Sequence, residues 1–550
     1  MSTLASLLKW LRPLVLFGCL GASIQATAPQ PTGYPALLAL FQEWRALHRP
    51  RLVDGVPDYR PEAMAKQQQS LALFQQRLKA LDTKGWSVPE LVDYQIVRAE
   101  MAGLDFDHRV LKPWANNPAF YATVLAEQSD QPAPEGPFAA GMVELWRCTF
   151  PLSPSQAAAL QPGLRAIPGL LAQARSNLVG DGRDLWTWGA KSLEAQAQAL
   201  TQFEARLDGP ALAELRQQVA QARAATASFA AWVAEGAKQK TGPSGIGVAN
   251  YDWYLKHVQL LPHGWRDEVT LLERELVRAK AMLALEEHRN RALPELQPIA
   301  NAEAHAKAFA AAIPKYMAFL KAQDLLTLPD YFGPALLSKV GSFDPGPRAF
   351  FTEVDYRDPL VLRTHGYHWF DLAWMEQAPH PSPIRRGALL YNIFDTRTEG
   401  HATGWEEMML QAGLFDDRPR SRELVYILLA QRAARGLASL RLHSGEFTLT
   451  QAAAFAAAQT PRRWLRLDHD LVWWEQHLYL QQPGYGTSYI TGKIELEKLL
   501  AERRELLGDR FQFKAHMDTF NAAGLIPASL LRWELTGRMP EDVRKMLSEE

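Results

Sequence analysis

Residues 356–409 read YRDPLVLRTHGYHWFDLAWMEQAPHPSPIRRGALLYNIFDTRTEGHATGWEEMM. Apolar residues recur at helical spacing on both sides of a Pro-rich turn, so the stretch reads as two helices separated by that turn. Chemistry is concentrated here more than anywhere else in the chain, in His365, His368, Asp371, Asp395, Glu399, Glu406 and Glu407. With His365 at or just before a helix start, His368 and Leu372 follow at i+3 and i+7, with Asp371 at the edge of the same arc. Two imidazoles one turn apart can share a metal. In the second segment Glu399, Ala402 and Glu406 are spaced i, i+3, i+7 and share a face, while His401 points elsewhere. A His pair on one helix and a Glu on the next is the donor set of a two-His, one-Glu zinc hydrolase, which makes His365, His368 and Glu399 the candidate zinc ligands. Two observations weigh against this. Gly366, not Glu, follows His365, and the His spacing is three rather than the four of His-Glu-x-x-His. The competing reading is a polar cleft lined by hydrogen-bonded histidines, with Glu399 or Glu406 neutralised by an arginine such as Arg397 or Arg435.

The rest of the chain supports an all-α class. Ala, Leu, Gln, Glu and Arg dominate periodic runs at 59–81, 154–176, 192–237 and 264–293, and β-branched alternation is scarce. Ser87 with Glu90, Ser153 with Gln156, and Thr448 with Gln451 have capping-box spacing. Gly209-Pro210 interrupts the third run, which predicts a helical hairpin. Pro and Gly cluster at 128–137 and 241–247, and both segments read as turns, the second being the better candidate boundary. The organisation expected is one large helical body over 27–550 around a central cleft, with an N-terminal part at 27–247 and a motif-bearing part at 248–550. Arg418, Arg420 and Arg422 follow Asp416 and Asp417 and read as a solvated, self-compensated loop.

The first residues, MSTLASLLKWLRPLVLFGCLGASIQATAPQ, carry Lys9 and Arg12 before a short apolar run and a small-residue site at Ala26. They read as a secretory signal peptide over 1–26, which implies export across the inner membrane to the periplasm. The alternative is a lipid-anchored envelope protein with Cys19 acylated, and only then is membrane contact expected. Cleavage at Ala26 leaves Cys148 as the only thiol, which excludes a disulfide framework and a Cys-based zinc site. A net charge of −1 argues against nucleic acid as a partner.

Near the C-terminus, PGYGTSYITGK at 483–493 reads as a loop leading into a helix. Tyr485, Tyr489 and Lys493 can project from that junction into a cleft, where Tyr and Lys stabilise an oxyanion or hold a carboxylate. A packing role for the tyrosines is the competing reading.

Several motifs taken together resemble the bacterial domain-of-unknown-function 885 family, helical proteins related to zinc metallopeptidases. They are Gly247, Tyr251 and Leu255; EGHATGWEE at 399–407; PGYGTSYITGK; and HMDTFNAAGLIP at 516–527. The family's His-Glu-x-x-Pro-Gly-His-His falls on Val361 to His368. Gly366 and His368 match, while Val361, Leu362 and Tyr367 replace the first His, the Glu and the penultimate His. The metal motif is therefore degenerate and its general base is missing. Glu399, Gly400, Ala402 and Glu406 match the second motif. Arg435 and His443 match a third, with Ser439 where an Asp is expected.

The resemblance implies a peptidase-like hydrolase with a peptide or small-molecule ligand. In that reading zinc sits on His365, His368 and Glu399, Asp371 or Glu406 acts as base, Tyr489 assists, and Tyr485, Lys493, Arg435 and His443 bind substrate. The alternative is a catalytically inactive, metal-free periplasmic binding protein on the same fold.

Overall fold

Local capping signals set where the helices begin. Ser153 Oγ accepts from the Gln156 N–H at 3.2 Å while Gln156 accepts from the Ser153 N–H, and Thr448 and Gln451 repeat the reciprocal pair. Glu90 likewise accepts from the Ser87 N–H at 2.7 Å. Each box satisfies N–H groups that a helix start leaves without partners. The computed structural model describes residues 32–548; the signal segment 1–26 and Cys19 lie outside the described residues. The protein is predominantly α-helical, as its sequence predicts. Strands among the described residues are confined to two pairs of two-residue segments. None of the described helices is long and apolar enough to cross a membrane.

The interrupted run is a hairpin: Arg183–Glu204 and Ala213–Ala237 flank a short turn of 3-10 helix at Pro210–Leu212. With Pro154–Asn177 it builds the smaller of two apolar cores, around Leu164, Leu193, Val219 and Phe229. The larger core joins the N-terminal helices Tyr34–His48 and Val88–Phe106 to the C-terminal ones, through Trp44, Ile96, Tyr251, Leu272, Trp405 and Ile490.

Two helices of the larger core are packed on all sides, which is why neither has a clear apolar stripe. In Pro419–Ser444, residues from Arg420 to His443 are buried except Arg422 and Arg441. In Asp395–Gln411, residues 395–406 are all buried. Asp395–Gln411 crosses Tyr485–Leu507 at Gly400 and Gly492. A Cβ on Gly400 would lie 2.5 Å from the Gly492 Cα, and one on Gly492 would lie 2.3 Å from the Thr396 carbonyl oxygen. Glycine at both positions lets the two backbones touch, and this contact sets the reach of Glu399 and Tyr485 toward each other.

The arginine run at 418–422 is not a solvated loop. Arg418 pairs with Asp358 and Arg422 with Glu286, while Arg420 pairs with Glu423 of its own helix and donates to the Leu293 carbonyl oxygen, so the three charges tie the start of the Pro419–Ser444 helix to other elements. Local charge alternation concealed these partners because two of them are more than fifty residues away in sequence.

Candidate functional site

His365 is the last residue of the helix Pro359–His365, and His368 lies in the first turn of Tyr367–Gln377, with Gly366 between them. The break turns the two rings to face one cavity wall, with centroids 5.0 Å apart. Glu399 enters from Asp395–Gln411. Its Oε2 lies 3.3 Å from His368 Nε2 and 3.8 Å from His365 Nε2. Tetrahedral zinc, with bonds of about 2.0–2.2 Å, spaces its ligand atoms by roughly 3.3–3.5 Å. His368 Nε2 and Glu399 Oε2 are buried, paired with each other, and hydrogen-bonded to no other group. This donor set therefore fits a metal ion.

Hydrogen bonds behind these groups hold them in place. His365 Nδ1 lies 3.1 Å from Glu406 Oε1, and a proton on Nδ1 leaves the Nε2 lone pair facing Glu399. Arg432 in turn grips Glu406 with two bonds of 2.7 Å. Glu399 Oε1 accepts from Gln131 Nε2 at 2.9 Å and from the Tyr485 hydroxyl at 2.7 Å. That hydroxyl also contacts Glu135 Oε1, and it has only one proton to share between two carboxylates.

Charge settles unevenly across this cluster. Burial works against an ionised His368, but the carboxylates of Asp130 and Glu399 outweigh it and hold the imidazole up at about 9. Burial likewise opposes charge on Glu399, yet His368 and His365 bring it down to about 2. Burial and the neighbouring Asp130 push Glu135 up to about 7. Asp130, Glu135 and Glu399 each place a carboxylate oxygen within 4.8 Å of the others, so Glu399 belongs to both a His-rich and an acidic grouping.

In front of this wall lies a cavity of about 680 Å³, lined by His365, Glu399, Arg432, Arg435, Tyr479 and Tyr489 among others. This volume lies within the range of small-ligand sites. Arg435 contacts Glu475 through Nη1, while its Nε and Nη2 are buried without partners, as is the Tyr479 hydroxyl. The Tyr489 ring lies 5.0 Å from the Arg435 guanidinium carbon.

The structure thus brings His365, Glu399, Tyr489 and Arg435 to one cavity, with His368 and Tyr485 behind its wall in contact with Glu399. Four other candidates are held elsewhere. Asp371 is gripped by Arg397 through two bonds of 2.9 and 3.1 Å. Glu406 is occupied by Arg432 and His365 and does not line the cavity. Lys493 sits among Glu275, Glu407 and Glu497 at 2.6–3.2 Å, one turn further along its helix than Tyr489 and outside the cavity lining. His443 bonds the Tyr479 carbonyl oxygen and packs on Tyr251. His401 is enclosed by Tyr367, Trp405 and Phe520, away from Glu399 as its helix phase predicts.

Sequence reasoning missed Asp130, Gln131 and Glu135, because 128–137 reads as a turn. The density of acids and amides between its prolines was the available signal. It also missed Arg432, one helical turn before Arg435.

Comparisons with known proteins agree with this architecture. Residues 367–535 match the family described as "Bacterial protein of unknown function (DUF885)". The solved structure of a "putative lipoprotein of unknown function from Shewanella oneidensis" is similar with a TM-score of 0.67 at 16% identity, covering 91% of this chain and 99% of that one. A "putative lipoprotein from Colwellia psychrerythraea" is similar with a TM-score of 0.59 at 13% identity, covering 92% and 97%. At such identities the likeness is one of fold. No curated protein matches the chain.

Proposed function

We propose that the protein, whose residues 367–535 match that bacterial family of unknown function, is an exported, envelope-located hydrolase that uses a metal ion held by His365, His368 and Glu399. The observation that carries this reading is the spacing of 3.3 and 3.8 Å between Glu399 Oε2 and the two imidazole nitrogens, with His368 Nε2 and Glu399 Oε2 buried and hydrogen-bonded to no third group. Zinc bound there would supply Lewis acidity at the cavity wall. Export is supported by the N-terminal signal pattern, and an envelope location by the description of both structural neighbours as lipoproteins.

The chain's own groups divide the remaining work. Leu362 stands where the resemblance expects a Glu, and Asp371 and Glu406 are committed to arginines. Glu135 takes the role of base instead: it lines the cavity and lies within 4.8 Å of the metal-facing Glu399. Glu406 orients His365. Tyr489 in the cavity wall donates to the oxyanion that develops on the substrate. The unpartnered Nε and Nη2 of Arg435 bind a substrate carboxylate, which makes a peptide-like acid the substrate class.

Metal analysis of natively purified protein tests the reading. We expect about one equivalent of a divalent ion, lost in His368→Ala. A wild-type protein that holds no ion and does not take up zinc on dialysis would overturn it. A second reading, a metal-free binding protein, is favoured by one contact: Gln131 Nε2 lies 3.4 Å from His368 Nδ1. In that pose Nδ1 accepts, the proton sits on Nε2 facing Glu399, and metal loading requires the Gln131 amide to turn over.

A further inference from the structure

A second cavity, of about 350 Å³, lies between the Val88–Phe106 helix and the segment 388–392, on the other side of the loop that carries Glu135 and sharing no lining residue with the His365 cavity. Six aromatic rings, those of Tyr59, Trp114, Phe120, Phe138, Tyr254 and Tyr391, line it. One carboxylate, that of Asp107, faces it. Asp107 opens a π-helical turn, Asp107–Leu111, which ends on Lys112 in the left-handed region at φ 41°. Such turns are rare and collect at functional sites.

The Asp107 carboxylate has no hydrogen bond or ion pair among the described residues, and burial alone pushes its pKa up to about 8. Asp107 is half-buried and opens onto this cavity, and a carboxylate so withdrawn from bulk water normally has a cation or donors beside it. The basic groups nearby do not serve. Arg45 is bound to Glu100, Arg49 is exposed, and burial with Arg45 and Arg49 lowers His48 to about 4, so it stays neutral.

The aromatic wall is built into the backbone. Tyr391 adopts the left-handed region at φ 58° and packs its ring on Gly103, where a Cβ would lie 2.3 Å from the ring. Gly103 is one helical turn before Asp107, so the bare backbone that seats Tyr391 and the carboxylate share a face. The Tyr391 hydroxyl is buried without a partner.

We propose that this cavity is a binding site for a small organic ammonium ion carrying an aryl or alkyl group, with Asp107 as its counter-charge and the Tyr59, Tyr254 and Tyr391 rings as its cage. The chemistry is that of cation–π recognition. Aromatic faces attract a weakly hydrated cation, and a single carboxylate makes the cavity selective for charge over shape. The site is independent of metal at His365, His368 and Glu399.

Calorimetric titration of the full-length protein with 2-phenylethylamine and its neutral analogue 2-phenylethanol tests the assignment. The amine should bind at least about tenfold tighter than the alcohol. Asp107→Asn should bring the amine down to the alcohol's affinity and leave the alcohol within about twofold, which shows the cavity intact. A second measurement needs no variant: carbodiimide coupling of the amine to the wild-type protein should place the new amide on Asp107 in peptide mapping. Equal affinities for amine and alcohol, full amine affinity in Asp107→Asn, or coupling confined to Asp130 and Glu135 would each overturn the proposal.

Discussion

Arg432 and Glu406 face each other through two 2.7 Å hydrogen bonds, with side-chain exposures of 0% and 1%. Such a pair is costly to break from one side, because the survivor is left as a buried, uncompensated charge. Glu406→Ala should therefore lower stability by about 3–5 kcal/mol, and Arg432→Met combined with Glu406→Leu should lose less than Glu406→Ala alone. Urea denaturation of the three proteins measures this. A double variant as unstable as the single would show that packing, not charge, dominates the site.

His368 and His401 lie on neighbouring helices and look alike in sequence, but only His368 reaches Glu399. His368→Ala should abolish metal uptake, since two of three ligands remain. His401→Ala should leave uptake unchanged while lowering the melting temperature, because its ring packs against three aromatic side chains. Metal titration with a chromophoric chelator distinguishes them, and equal loss of metal in both would remove His368 from the ligand set.

The crossing of Gly400 with Gly492 predicts intolerance to one added methyl group. In Gly492→Ala the new Cβ meets the Thr396 carbonyl oxygen, a backbone atom that cannot rotate away. The two helices must separate, at a cost of about 1–3 kcal/mol or more. Thermal melting reads the loss, and an unchanged melting temperature would mean that the helices slide freely.

Glu268 gives the pH dependence a definite sign. It is fully buried, accepts from the Tyr251 hydroxyl at 3.1 Å, and is raised by burial from 4.5 to about 8. The folded chain keeps this proton up to about pH 8, whereas the unfolded chain releases it near its ordinary value, so stability falls as pH climbs between them. Glu268→Gln is neutral throughout and should flatten the decline in melting temperature between pH 5 and 8. Identical slopes in the two proteins would assign the decline to another group.

The sequence announces helices well because their signals are local. Capping pairs three residues apart at Ser153 and Thr448, and the Gly209-Pro210 break, act within a turn of where they are read. The His365 and His368 pair was legible because the two are three residues apart, although the break at Gly366, not a shared helix phase, brings their rings together. Electrostatic partners were not. Nothing near Asp371 in sequence identifies Arg397 as the group that would occupy it, and Lys493 looks like a cleft residue until Glu275 and Glu407 come from distant helices to surround it. The loop at 128–137 was read through its prolines, while its contacts with Glu399 and Tyr485 depend on where Asp130, Gln131 and Glu135 are carried by the fold.

That loop also bears on the order in which the protein forms. Gln131 meets Glu399 across 268 residues of chain, and Glu135 meets Tyr485 across 350. Contacts so distant in sequence return nothing until most of the intervening chain is ordered, because closing such a span costs entropy first. The helical hairpin and the local caps can form early. The wall of the His365 cavity is then among the last parts to close, and a newly made chain acquires its core before its site.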